Sequence, residues 1–355
     1  MSEFTALVDD FLDASFALDP LFATTIGNHD HDGEWPDLSA AGRDERLRFV
    51  DEWSGRLRAV DEGALTVDER VDRDLLHAEL EAQRFGDTRL REETWSPIWW
   101  VYVIGEGFFG LLSREFAPLA DRLGSIASRA ERLPAVLEAA REALVGADHR
   151  PVDRLHAEKA LEQWPGLISI VDEAIRSGEA AAASGDAASD AVLPRLRAAR
   201  GVAGEALATF ERHLREDILP GTEGEGRLGP ELFAEKLAHT MRDPSMTPDR
   251  IEQRAEREYA AVRAEMIRIA RAIAPAWLRD APIPDDDQAL VRAVFDAIAV
   301  EHPSRDALLD FCRTEVARIE AFCRDRGVIT LADEPLEISW TPVFLREFGG
   351  AMLSS

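Results

Sequence analysis

The densest run of groups able to bind a cation or move a proton is Asn28-His29-Asp30-His31-Asp32-Gly33-Glu34, where two imidazoles and three carboxylates crowd together. Such a set could hold a divalent cation. Zinc, however, takes ligands fixed from rigid elements in a closed or nearly closed tetrahedron, which adjacent loop positions rarely supply. An EF-hand also fails, because nothing after Gly33 stands at the spacing that would complete it. The run is read as a helix-linking turn with polar caps, and no metal ligand is assigned to His29, Asp30 or His31.

The remaining histidines are His77, His149, His156, His213, His239 and His302, and no His-Glu-x-x-His occurs. His77 with Glu79 and Glu81, and His156 with Glu158 and Glu162, read as charged helix faces. His239 falls near a helix end, where an imidazolium suits the helix dipole and a substrate contact is the alternative. Gly221 to Gly229 is glycine-rich, but it follows a helix and carries two glutamates that would oppose phosphate, so it reads as a flexible connection. No Gly-x-Ser-x-Gly is present, and neither cysteine neighbours a histidine in a nucleophile pattern. Cys312 and Cys323 are eleven residues apart on one helical face, roughly 16 Å along the axis. That separation is too long for a bridge between them, so both read as reduced core thiols. No catalytic, cofactor-binding or metal residue is assigned on this chain.

The elements around these residues are helical. Leu119, Leu123, Ile126, Ala130, Leu133, Leu137, Ala140 and Leu144 recur at steps of three and four, and Pro134 is expected to divide that stretch. Ile251, Ala255, Tyr259, Val262, Met266, Ile269 and Ile273 form a second stripe, and Leu309, Cys312, Val316, Ile319 and Cys323 a third. Each stripe needs a partner surface. Thr66 to Glu69 fits a capping box, Pro230 and Pro248 fit first helical positions, and Gly327 fits a left-handed C-cap. Helices are predicted at 3–18, 43–61, 67–85, 98–112, 116–131, 134–146, 152–177, 190–217, 230–240, 248–273, 287–300 and 304–326. The segment 177–190 reads as the tip of a helical hairpin rather than a domain boundary.

One stretch breaks the pattern. Leu336, Ile338 and Trp340 alternate with Glu337 and Ser339 in the two-residue period of a strand, which Thr341-Pro342 ends. The expected fold class is therefore all-α, a single helical domain over 1–355 with one short β-strand near the C-terminus. A lone strand suggests a partner beyond Ser355.

Composition sets outer limits. The 355 residues are 46% hydrophobic, enough for a core, and 68 acidic against 41 basic residues give a net charge of -27. A field of that sign repels a polyanion, so nucleic acid is not expected as a partner. The most membrane-like segment, Trp95 to Leu112, is interrupted by Pro97, three glycines and Glu106, and is better read as a buried segment or one wall of a groove. The N-terminus lacks the basic start and apolar stretch of a secretory signal, so a cytoplasmic location is expected.

Three blocks carry a resemblance along the whole chain: Leu18 to Asp30, Gly229 to Leu237, and Arg326 to Arg346. Together they resemble the bacterial and archaeal family catalogued as domain of unknown function 885. That family looks similar to helical zinc carboxypeptidases, in which long helices form a deep groove over a metal. Its metal motif lies downstream of the segment matched by Trp340-Thr341-Pro342. The resemblance thus implies the N-terminal, groove-forming part of a zinc-dependent peptidase-like hydrolase. This chain would be inactive alone, with zinc expected only in a full-length family member and a peptide as substrate. The alternative is a non-catalytic helical protein that binds a peptide or partner. A fold cut short would expose apolar surface, so self-association is expected.

Overall fold

The computed structural model of the chain describes residues 2–146, 150–243, 245–279, 281–332, 336, 338–341 and 343–345. Contacts divide the chain into two compact units, Met1–Pro244 with Pro342–Ser355, and Ser245–Thr341.

The first unit is built from α1 (Glu3–Leu18), α2 (Pro20–Ile26), α3 (Ala40–Arg58), α4 (Val67–Phe85), α5 (Pro97–Ser113), α6 (Leu119–Val145), α7 (Arg154–Gln163), α8 (Pro165–Ala183), α9 (Ala187–His213) and α10 (Pro230–Met241). Its main core joins α5, α6, α7, α8 and α9. Trp100, Ile104, Phe108, Leu123, Ile126, Leu133, Leu167 and Leu196 are fully buried there, and Phe344 and Leu345 from the far end of the chain join them. A side chain of this size contributes about 1.5–3 kcal/mol on burial, so this cluster dominates the unit's stability. A smaller core under α1, α3 and α4 gathers Phe4, Phe11, Val50, Trp53, Leu57 and Leu80.

The second unit contains α11 (Pro248–Leu278), α12 (Asp287–Ile298) and α13 (Leu308–Arg326). Its core is small: Ala270 and Ala274 of α11 pack on Leu290 and Val294 of α12.

Capping chemistry sets the helix ends where the residue types place it. Thr66 Oγ1 accepts from the Glu69 amide at 3.2 Å and Glu69 Oε2 accepts from the Thr66 amide at 2.8 Å, a complete capping box. Pro230 and Pro248 open α10 and α11, and Gly327 closes α13 in the left-handed conformation. The 177–190 segment is a hairpin tip: α8 runs to Ala183, Gly185 turns the chain at φ +100°, and Asp186 caps α9.

Three expectations need correction. Pro134 does not divide α6, which runs unbroken from Leu119 to Val145. Proline removes one backbone bond, but Pro134 lies on the exposed side between the buried Leu133 and Val136. The bond it forgoes would have been to the Ala130 carbonyl, and buried contacts on either side of Pro134 hold the helix together without it. Pro194 in α9 and Pro275 in α11 are exposed interior prolines of the same kind. Conversely, the helix expected at 152–177 is two helices, α7 and α8, which meet at Trp164-Pro165.

The third correction concerns the expected strand. Leu336, Ile338, Ser339 and Trp340 are irregular, while Glu337 and Pro342 lie outside the described residues. Leu336 and Trp340 are both about half exposed, so the alternation does not mark one buried face. The described partner of the Ile338 carbonyl is a side chain, Arg313, whose Nη2 donates at 3.2 Å. A strand exists by pairing its backbone with a neighbour, and alternation alone cannot supply one. Among the described residues the β-type pairing is an isolated bridge between Asp153 and Gly224.

Candidate functional site

The acid–imidazole run lies between α2 and α3 and is tied down by α6. Asp32 is buried, accepting from Thr24 Oγ1 at 2.7 Å and lying 3.0 Å from His29 Nδ1. The His29 ring stacks on Phe116, with centroids 3.6 Å apart and planes 3° from parallel. His31 reaches only Glu34, at 3.7 Å, and the Asn28 side chain caps the Asp30 amide. Beneath the loop, Arg129 of α6 is fully buried. Its Nε donates to the Glu34 carbonyl at 3.0 Å, Nη1 to the Gly107 carbonyl at 2.5 Å, and Nη2 to Thr24 Oγ1 at 2.9 Å. Burial lowers the Arg129 pKa to about 10, against the opposing pull of Asp32 and Asp19. Ser128 and Arg132 both donate to the Gly33 carbonyl, and Trp35 Nε1 donates to the Arg129 carbonyl. The polar run is therefore a clamped turn: the Gly33 and Glu34 carbonyls accept from Ser128, Arg129 and Arg132 of α6, while Asp32 is spent on Thr24 of α2 and on His29. Among the described residues no group of three or more His, Cys, Asp or Glu side chains is placed to hold a metal ion.

The other histidines are scattered. His239 lies on Phe85 with ring centroids 4.7 Å apart, and His156 on Trp95 at 5.7 Å. His213 pairs with Asp217 at 2.7 Å, and His77 lines a cavity of about 260 Å³ beside Arg73 and Asp74. His302 Nδ1 lies 2.9 Å from the Pro303 carbonyl, and His149 lies outside the described residues. The glycine-rich connection is held more firmly than its composition suggests. A Cβ on Gly224 would fall 2.4 Å from the Pro151 carbonyl oxygen, and Gly226 has φ +62° beside Asp153. At its end, the start of α10 borders a cavity of about 350 Å³ with Arg89 and Arg150. Both arginines are already engaged, Arg89 with Glu235 and Arg150 with the Arg89 carbonyl. Cys312 is half-buried, Cys323 is buried, and both are free thiols.

The segment that read as a groove wall, α5, has one face open to solvent. Trp100, Val101, Ile104, Phe108 and Leu111 face the core. Close packing behind them uses two glycines: a Cβ on Gly105 would fall 2.2 Å from the Phe344 ring, and one on Gly107 would fall 2.4 Å from Trp35. The half-open side presents Trp99, Tyr102, Val103, Glu106 and Phe109. Tyr102 and Glu106 are one helical turn apart on this apolar strip. Burial pushes the Glu106 carboxyl above its ordinary value of 4.5, with Arg114 pulling the other way. Burial, and then the Glu106 charge, likewise raise the Tyr102 phenol. At the head of α5, Glu93 is also raised by burial. A strip that is apolar except for a carboxyl and a phenol one turn apart can bury apolar side chains while exchanging hydrogen bonds with amide groups.

Arg129 escaped the sequence reading, although a signal was there. Arg122 and Arg129 fall in step with Ile126 and Leu133, on the core-facing stripe, where a charge needs a dedicated set of partners. Arg122 has one as well, in the carbonyls of Ala117 and Leu112.

A family model described as "Bacterial protein of unknown function (DUF885)" matches residues 20–355. Among solved structures, the chain is similar to one described as "a putative lipoprotein of unknown function from Shewanella oneidensis", with a TM-score of 0.72 and 26% sequence identity. That match covers 96% of this chain, which spans 61% of the other chain's length. No curated protein matches.

Proposed function

Because the chain belongs to the DUF885 family of bacterial proteins of unknown function, we propose that it supplies the substrate-holding wall of a peptidase-like hydrolase, with the open side of α5 as the strip on which a peptide lies. The observation that carries this reading is the placement of Glu106 one helical turn from Tyr102 on an otherwise apolar, half-open helix face. Apolar side chains of a peptide would pack against Trp99 and Phe109. The Glu106 carboxyl, whose pKa burial raises, would in its protonated form donate a hydrogen bond to a peptide carbonyl. The helical-hydrolase resemblance supports the substrate class and implies zinc, but the described residues do not fit that ion, since Asp32 is committed to Thr24 and His29. No zinc-dependent step is assigned to this chain, and metal ligands would come from outside these residues.

Titration with fluorescent, unstructured apolar peptides tests the wall. Saturable binding that weakens several-fold in Tyr102→Ala and in Glu106→Lys is expected. Failure of every peptide to bind, or binding indifferent to both substitutions, would sink the reading. Stoichiometric zinc retained by the purified chain would redirect attention to His29, Asp30 and His31. Peptide hydrolysis by these 355 residues would contradict the view that they carry no complete catalytic set.

A second reading, a non-catalytic protein that binds a peptide or partner on the same wall, is favoured by the lack of a metal-ligating group among the described residues. A longer family member that hydrolyses the peptides this wall binds would exclude it. On location, no helix among the described residues is long and apolar enough to cross a membrane. The lipoprotein description of the similar structure supports the cell envelope over the expected cytoplasmic location. Fractionation of producing cells separates the two.

A further inference from the structure

Helix α11 is some 46 Å long at 1.5 Å per residue, and every residue from Glu252 to Met266 is exposed. A helix standing free in water is marginal, because tertiary packing of an apolar face normally supplies most of its stability. This one has such a face, and none of the described residues covers it. Tyr259 is 66% exposed, Val262 54%, Met266 37% and Ile269 42%, and Ala255 extends the row. The steps between these five positions are four, three, four and three. That is the alternation of a coiled-coil seam, with Ala255, Val262 and Ile269 at one core position of the heptad and Tyr259 and Met266 at the other.

From this face we infer that α11 pairs with α11 of a second copy of the chain as a short parallel coiled coil. The charges flanking the seam select that occupant. Glu258 immediately precedes one core position and Arg263 immediately follows the next, so a parallel pair sets Glu258 of each copy against Arg263 of the other. Neither group is locked elsewhere: Glu258 lies 3.7 Å from Arg254, and Arg263 reaches only the Tyr259 hydroxyl at 3.3 Å. The helix is also locally suited to meet its own kind. It carries five acidic and six basic residues, within a chain whose net charge is -27. Two copies therefore meet on a helix of nearly balanced charge, free of the strong acidic repulsion of the chain as a whole. A seam of about two heptads is small, so the dimer is weak and concentration-dependent. This inference does not rest on the peptide-binding reading.

Sedimentation equilibrium of the full chain over about a hundredfold range of concentration reads it directly. A monomer–dimer equilibrium is expected. Val262→Glu, at an exposed position, should abolish the dimer while leaving the helical circular dichroism signal of the parent unchanged. Glu258→Arg should weaken it about three- to tenfold, and the double variant Glu258→Arg with Arg263→Glu should restore it. A chain that stays monomeric throughout, leaving the stripe to a partner other than itself, overturns the inference. So does a dimer that Val262→Glu or the charge reversals leave unchanged.

Discussion

Helices α6 and α11 carry the same kind of message in sequence and have opposite fates in the structure. Both show apolar residues at steps of three and four, and both contain an exposed interior proline. In α6 the stripe is closed over by α5, α8 and α9, and Leu123, Ile126 and Leu133 are fully buried. In α11 the stripe is covered only at its end, where Ala270 and Ala274 meet α12, and the first two-thirds stand in solvent. Periodicity reports that a helix has a face to bury; it does not report whether the chain supplies the cover. Function follows the same division, since a closed stripe can position a site and an open one can receive a partner.

The sharpest way to break this contrast is to attack the closed helix at its fully buried charge. Arg129→Met removes the donors to Glu34, Gly107 and Thr24 and leaves Asp32 without its compensating cation. A loss of about 3–5 kcal/mol is expected, the usual cost of stripping one partner from a buried charged network. Urea denaturation followed by tryptophan fluorescence measures it. A loss below ~1 kcal/mol would mean that the loop is anchored by its apolar contacts and that the arginine is dispensable.

Matched apolar truncations sharpen the comparison next. Leu133→Ala in α6 should cost about 2–5 kcal/mol, because it opens a cavity where Leu133 is fully buried. Val262→Ala in α11 should change the stability of the dilute protein by no more than ~0.5 kcal/mol, because little apolar surface is buried there. Equal effects in the two helices would erase the distinction between the closed and open stripes.

Smaller again is the effect of Gly105→Ala. The added Cβ would fall 2.2 Å from Cδ2 of Phe344, whose ring is fully buried and must move. Overpacking of this kind costs about 1–3 kcal/mol. The same variant combined with Phe344→Leu should recover part of the loss, and thermal melts of the two proteins would show it. No recovery would place the strain elsewhere on α5.

How much of this was legible in the sequence depends on whether the signal was local. Thr66 and Glu69, Pro230, Pro248 and Gly327 act within one turn of themselves, and each stands where its chemistry placed it. Trp340 and Ile338 show the opposite case: their alternation was real, but a strand is a relation between two segments and the second is missing from the described residues. The polar run at 28–34 was legible as a turn. Its anchor was not, because Arg129 lies about a hundred residues away and only the fold brings it under the loop. Glu106 was visible as an interruption of an apolar segment. Its role depends on which side of α5 stays open, and no single-sequence pattern states that.

Glu106 therefore makes the finest test, one of pH rather than of gross stability. Its folded-state pKa lies above the ordinary carboxyl value of 4.5, chiefly through burial. Between those two values the folded chain binds more protons than the unfolded chain, so this group makes stability fall as pH rises through that window. It favours folding below the ordinary value and costs stability above the raised one. Glu106→Gln removes the titration, so the variant should lose less stability than the parent between mildly acidic and neutral pH and should be the more stable of the two at neutrality. Paired urea titrations at a series of pH values would reveal this as a difference in slope. Parallel slopes would mean that burial does not raise the Glu106 pKa, and the open side of α5 would then present an ordinary solvated carboxylate instead of the half-buried group on which its role as a substrate wall rests.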